Sequence, residues 1–236
     1  MTRELAARAG HVIAVEKDTV LADGLAKNLS HMVNVVVVKG DARYIDMKDL
    51  IGDASSYKMV ANLPYYAASP IVRRFLESEL PPSSMVFMLQ KEVAQSMVAE
   101  PGRLSVIGVA TQFYGKPRIV SYVPPSAFYP PPNVNSAIVH IEVYPRPAID
   151  VDDPSLFFHI VRSGFAAPRK QLTNSLSKGL SITPKAIQDL LVLAGVGTSL
   201  RPQDLYLEQW AQIYRVMNSA GVSVNIKGLR KDQPDA

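Results

Sequence analysis

Cysteine is absent from all 236 residues. Disulfides, thiolate metal sites and a cysteine nucleophile are therefore excluded, and the expected location is cytoplasmic. Histidine is scarce, and the four present, His11, His31, His140 and His159, show no ligand spacing, so no metal is expected. No apolar run approaches a membrane span of roughly 20 residues, and no charged-then-apolar leader suggests secretion; no membrane partner is expected. Internal repeats and low-complexity tracts are also missing.

What is present is an ordinary hydrophobic content of 47%, enough for one good core plus a smaller one. The formal charge of +4 is modest but unevenly spread. Residues 1–154 hold 15 Lys and Arg against 16 Asp and Glu, while residues 155–236 hold 10 against 5. A positive final third suits a polyanionic partner, but charge by itself slightly favours a solvated basic helical surface.

The first half alternates β-branched runs with helical periodicity, the pattern of a parallel sheet with crossover helices. Strands are expected at 11–15, 33–38, 58–62 and 85–89, with a closing strand pair at 119–123 and 137–143. The unbroken valines of 33–38 predict burial on both faces. Helices are expected at 2–9, 19–29, 69–77, 92–98 and 104–113. A linker is expected where Pro145-Arg146-Pro147 meets the acidic residues 150–153. Beyond it the pattern is helical at 155–166, 169–178, 184–194 and 207–219. The division is thus an α/β domain over 1–146, a helical domain over 154–221 and a tail over 222–236. The chain opens on a helix, whereas a doubly wound nucleotide fold begins with a strand and a glycine-rich turn.

Three polar side chains fall at consecutive expected strand ends: Glu16, Asp41 and Asn62. Ligands bind outside the carboxyl ends of such strands. Each has a plain alternative, a helix-initiating acid for Glu16, an Asp turn for Asp41 and a strand-ending turn for Asn62. Together they favour a nucleoside site. In Asn62-Leu63-Pro64-Tyr65, an amide oxygen and backbone carbonyls offer acceptors for an exocyclic amine whose lone pair is delocalised into its ring. Pro64 supplies a rigid turn, and Tyr65 a face on which an extruded base can stack.

With Val15-Glu16-Lys17-Asp18, Gly40-Asp41-Ala42 and Asn62-Leu63-Pro64-Tyr65 in hand, the chain resembles the ribosomal RNA adenine dimethyltransferases. The resemblance continues through residues 85–102, the Pro-rich loop Ala127-Phe128-Tyr129-Pro130-Pro131-Pro132-Asn133-Val134-Asn135-Ser136, and the basic stretch 165–176. It implies a Rossmann-like methyltransferase domain with a small helical domain, and S-adenosylmethionine as methyl donor. Among its branches the chain is most similar to the bacterial small-subunit enzyme. That enzyme dimethylates two adjacent adenosines in a hairpin near the 3′ end of the RNA. The family's first strand and glycine-rich loop should precede Met1, so the chain looks shortened at its front and weak cofactor binding is expected.

Carried over by resemblance, Glu16 holds the cofactor ribose, Asp41 and Ala42 read its adenine, and Lys17 and Asn62 also belong to the cofactor site. Asn62, with the Leu63 and Pro64 carbonyls, orients the target amine. Tyr65 and Phe128 clamp the flipped base, with Tyr66, Gln90 and Tyr129 as pocket neighbours. Arg169, Lys170, Arg162 and Arg201 contact RNA phosphates, which set affinity rather than sequence. The implied partner is small-subunit RNA or its precursor particle, met by a monomer. The competing readings are the antibiotic-resistance branch acting on large-subunit RNA, an RNA-binding assembly factor without catalysis, and a DNA amino-methyltransferase.

Overall fold

The computed structural model describes residues 1–52 and 56–221; the expected tail at 222–236 lies outside the described residues. Chain order runs α1 (Thr2–Ala6), β1 (Val12–Glu16), α2 (Thr19–Asn28), β2 (Val35–Lys39), α3 (Met47–Ile51) and β3 (Lys58–Asn62). It continues through α4 (Ala68–Leu76), β4 (Ser84–Gln90), α5 (Lys91–Met97), α6 (Val106–Tyr114), β5 (Gly115–Val123) and β6 (Ser136–Val143). Four helices follow: α7 (Pro154–Gly164), α8 (Leu172–Leu180), α9 (Pro184–Leu193) and α10 (Leu207–Ser219). Short α3 has no counterpart among the expected elements.

The strands form two sheets. β1 pairs in parallel with β2, Glu16 opposite Lys39. The second sheet has the order β3-β4-β6-β5. In it β3 and β4 are parallel, and β6 runs antiparallel between β4 and β5. The expected closing pair is therefore present. The valine run does not have both faces buried. Val36 is 45% exposed and Val33, ahead of the strand, wholly so; among the described residues β2 pairs with β1 and carries α2, and the Val36 side stays open.

β4 shows the period-2 burial of a strand covered on one side. Met85, Phe87 and Leu89 are buried and alternate with half-exposed neighbours. They join Ile71, Val72 and Phe75 of α4, and Val139 and Ile141 of β6, in one apolar cluster. A second cluster unites α7–α10 around Phe157, Trp210 and Tyr214. It also takes Val109, Ala110 and Phe113 from α6, so a helix of the first half builds the core of the second. Phe113 stacks on Phe157 with centroids 5.0 Å apart and meets Phe158 edge-on at 5.2 Å. The acidic linker ends in a cap: the Asp153 side chain accepts from Leu156 N, and its own amide donates to Tyr214 Oη at 2.8 Å.

Arg169 and Lys170 do not open a helix as expected. They lie in a turn closed by Lys170 N donating to Ala167 O at 2.9 Å. Pro168 occupies the position where its fixed φ suits such a turn, and α8 starts only at Leu172.

Close approach of α7 and α8 depends on Gly179. A Cβ there would stand 2.6 Å from Ser163 Cβ and 2.7 Å from Ser163 O. In an isolated helix, alanine would gain about 1 kcal/mol over glycine; here overpacking against backbone costs about 1–3 kcal/mol. Gly179→Ala is expected to lower the unfolding free energy in urea titrations. An unchanged or higher midpoint would show that the two helices separate at no cost.

Candidate active site

The site is built from the carboxyl ends of β1, β2 and β3 and from the loop that enters β6. Glu16 closes β1, its backbone oxygen accepting from Gly40 N at 3.0 Å, so the ends of β1 and β2 are tied together. Its Oε1 accepts from Asp18 N at 2.9 Å. Asp18 in turn caps α2 through Val20 N and Leu21 N.

Asp41 follows β2 and is the most heavily engaged carboxylate in the site. Oδ1 accepts from Arg43 N at 3.0 Å and Nε at 3.1 Å, while Oδ2 accepts from Arg43 Nη2 at 2.6 Å. Lys17 Nζ lies 3.2 Å from Oδ2. The Arg43 guanidinium, with Lys17 behind it, holds the Asp41 carboxyl well below the usual carboxylate range. The Ala42 amide donates to no described residue.

Asn62 ends β3 opposite Met88, and the next amide, Leu63 N, donates to Met88 O at 3.1 Å. That ladder bond carries the strand one step past Asn62 and leaves its carboxamide exposed at the sheet edge. Leu63 is buried beneath. Pro64, extended at φ −62° and ψ 132°, starts a 3-10 turn over Tyr65–Ala67, and its carbonyl accepts from Ala67 N at 2.9 Å. The Leu63 carbonyl accepts no backbone bond outside the regular elements.

The turn directs Tyr65 toward β6. Its hydroxyl lies 2.8 Å from Ser136 Oγ, a fully buried side chain. Ser136 ends the Pro-rich loop, and the preceding Asn135 carbonyl accepts from Lys91 N at 3.0 Å. Phe128, half-buried, is held at the start of that loop by its amide donating to Pro125 O at 3.1 Å. Tyr129 is wholly exposed.

Glu16, Lys17, Asp41 and Ala42 therefore share one group of strand ends, and Asn62, Leu63, Pro64 and Tyr65 another. Arg43 joins the two groups: its guanidinium carbon is 5.9 Å from the Tyr66 ring and 5.0 Å from the Tyr44 ring. Arg43, Tyr44 and Ser136 carried no assigned role in the sequence. Asp41-x-Arg43 is a spacing that permits an ion pair. The Tyr65–Ser136 contact spans 71 residues and leaves no local signal.

The four cations expected at RNA are separate from these strand ends in sequence. Arg169 and Lys170 are exposed in the α7–α8 turn. Arg162 lies in the last turn of α7, and Arg201 precedes a 3-10 turn over Pro202–Asp204. A cavity of about 1130 Å³ runs along α3 and α4 and is lined by Arg43, Tyr44, Met47, Pro70, Arg74 and Ile107 among others. It holds none of the cofactor or catalytic residues expected from the sequence.

Comparison with known proteins matches this architecture. A methyltransferase named ribosomal RNA small subunit methyltransferase A from Dehalococcoides mccartyi (strain CBDB1) is 41% identical over 213 residues, 90% of this chain and 73% of that protein. A protein of the same name from Alkaliphilus metalliredigens is 37% identical over 219 residues, 90% of this chain and 76% of that protein. Among solved structures, a dimethyladenosine transferase from Plasmodium falciparum superposes with a TM-score of 0.71 at 20% identity, covering 92% of this chain and 86% of that one. The 23S rRNA methyltransferase ErmE gives 0.67 at 26% identity, with the same coverage. The ribosomal RNA adenine dimethylase family model matches residues 1–219, and the chain belongs to that family.

Proposed function

We propose that this chain transfers methyl groups from S-adenosylmethionine to the exocyclic amines of adenosines in small-subunit ribosomal RNA. The observation that carries this reading is Asn62 at the open end of β3, followed by a turn whose Tyr65 is tied to Ser136. Relatives at 41% and 37% identity are named small-subunit enzymes, which favours that RNA over the large-subunit alternative. The α/β layer over 1–146 would hold the chemistry and the helices over 154–221 the RNA.

The nucleoside end of the donor fits the residues present. Glu16 Oε2 is left for a ribose hydroxyl while Oε1 stays on Asp18. The Ala42 amide, without a described acceptor, would donate to a ring nitrogen. Asp41 has about four lone-pair positions, and Arg43 and Lys17 occupy them. Lys17, at 3.2 Å and 61% exposed, is the group that yields when an adenine amine is accepted. Bound there, the donor supplies an electrophilic methyl group.

The protein's part is orientation. Asn62 Oδ1 and the Leu63 carbonyl accept the two amine hydrogens, turning the nitrogen lone pair out of conjugation and toward the methyl group. Pro64 O contributes less, since it already serves Ala67 N. No general base is required, because the amine becomes acidic only after it gains the methyl. Positioning and fixed dipoles then supply most of the rate. Tyr65 and Phe128 hold the extruded base, each stack worth roughly 1–3 kcal/mol.

Asn62→Ala is expected to abolish methyl transfer while RNA affinity stays within about twofold of wild type, because the amide acts on the amine. Mass spectrometry of treated small-subunit RNA decides it: dimethyladenosine at wild-type level with this variant would refute the role.

Phe128→Ala is expected to weaken RNA turnover by tenfold or more, roughly one lost stack, with cofactor affinity unchanged in calorimetry. An equal loss of cofactor affinity would make Phe128 a loop anchor instead.

Reversing Arg169 and Lys170 to Glu should weaken structured RNA broadly and flatten the salt dependence, since fewer counterions are released. Equal slopes for both proteins across a salt series would place the RNA elsewhere.

A further inference from the structure

Tyr44 and Tyr66 are conspicuous for their exposure. Tyr44 is 52% exposed and Tyr66 74%, yet both rings lie within cation–π range of one guanidinium, at 5.0 and 5.9 Å. Arg43 is not a loose surface cation. Nε and Nη2 on its edge are taken by the two oxygens of Asp41, and its charge is largely balanced there. A guanidinium held by its edge offers its flat face. The three planar groups come from two segments: Arg43 and Tyr44 follow β2, and Tyr66 is the second residue of the turn over Tyr65–Ala67.

We propose that Tyr44, Arg43 and Tyr66 form a stacking platform for an unpaired RNA base adjacent to the target adenosine. The inference rests on the proposed RNA substrate. Its position follows from chain geometry: Tyr66 is one residue beyond the ring assigned to the target base, so a base seated on Tyr66 belongs to a neighbouring nucleotide. Extruding one adenosine from a loop unstacks its neighbour as well, and an exposed aromatic surface next to the pocket recovers that stacking. Because both rings are solvated in the free protein, no core contact is spent in binding. Asp41 keeps the guanidinium in place, so its face is preorganised before RNA arrives. With the Arg43 charge balanced by Asp41 and the two rings beside it exposed, this group suits a base better than a phosphate.

The test uses a small-subunit hairpin RNA carrying 2-aminopurine next to the target adenosine, titrated with the full chain. Wild type is expected to quench the analogue on binding. Tyr66→Ala and Tyr44→Ala are each expected to lose most of that quenching and to weaken RNA binding about tenfold. Tyr66→Trp is expected to restore both. S-adenosylhomocysteine affinity, measured by calorimetry, is expected to be the same in all four proteins. Wild-type quenching and affinity in both alanine variants would overturn the proposal, as would a tenfold loss of S-adenosylhomocysteine affinity, which would assign the rings to the cofactor. Asn62→Ala separates the two readings. Retained quenching with transfer abolished supports both, whereas retained quenching with transfer intact sinks the amine-orienting role and leaves the platform standing.

Discussion

The hydrogen bond between Tyr65 and Ser136 fixes the geometry on which the rest of the site depends. It joins the turn after β3 to the first residue of β6, across the intervening strand β4. Ser136 is fully buried, so losing its partner would leave a desolvated hydroxyl, a cost of about 1–3 kcal/mol. The bond exists because β6 runs antiparallel to β4 in a register that places Ser136 opposite Gln90, at the end where β3 delivers Asn62. The Pro-rich loop before Ser136 is thereby anchored beside Asn62. Met85, Phe87 and Leu89, buried along β4, hold that register.

The second constraint is electrostatic. Asp41 and Arg43 satisfy each other before any ligand arrives, with Arg43 raised and Asp41 lowered from their ordinary ranges by the same hydrogen bonds. The clear shifts elsewhere arise away from the strand ends. Burial pushes the Tyr57 phenol up to about 12 and the Tyr114 phenol upward. It also moves His159 downward, helped by Arg162. The proposed orientation of an amine by Asn62 would need no tuned acid or base beside it, only fixed acceptors.

Much of this was legible in the sequence because the informative signals are local. β3 spans Lys58–Asn62 as its apolar run predicts, and α10 spans Leu207–Ser219 as its periodicity predicts. Glu16, Asp41 and Asn62 all stand at strand ends. What local patterns could not carry was pairing. The valine run resembles a strand buried on both faces whether or not a layer covers the second one, and only the packing shows the Val36 side open. Arg169 and Lys170 precede an apolar helical period, but Pro168 gives a tight turn at lower cost than helix does. Arg43 was overlooked for a similar reason. Its partners are Asp41, two residues away, and Tyr66, which only the fold brings near.

The packing of α6 ties the α/β half to the helical half. Its N-terminal turn is capped by Ser105, and its buried side chains Val109, Ala110 and Phe113 enter the cluster built by α7–α10. Tyr114, at its end, packs against both apolar clusters. A second attachment comes from the 3-10 turn at Pro202–Asp204: the Gln203 carbonyl accepts from Gly102 N at 2.7 Å, and its side chain donates to Gly102 O at 3.0 Å. Two separate segments of the α/β half are thus locked to the helical half, one by apolar packing and one by hydrogen bonds. A shared core does not slide as a polar interface can. The distance from the Arg169–Lys170 turn to Asn62 is therefore set by the fold rather than by a flexible linker. If the proposed RNA contacts are made at the helices, they stand at a fixed distance from Asn62, and adenosine selection would be a matter of shape as much as of base contacts.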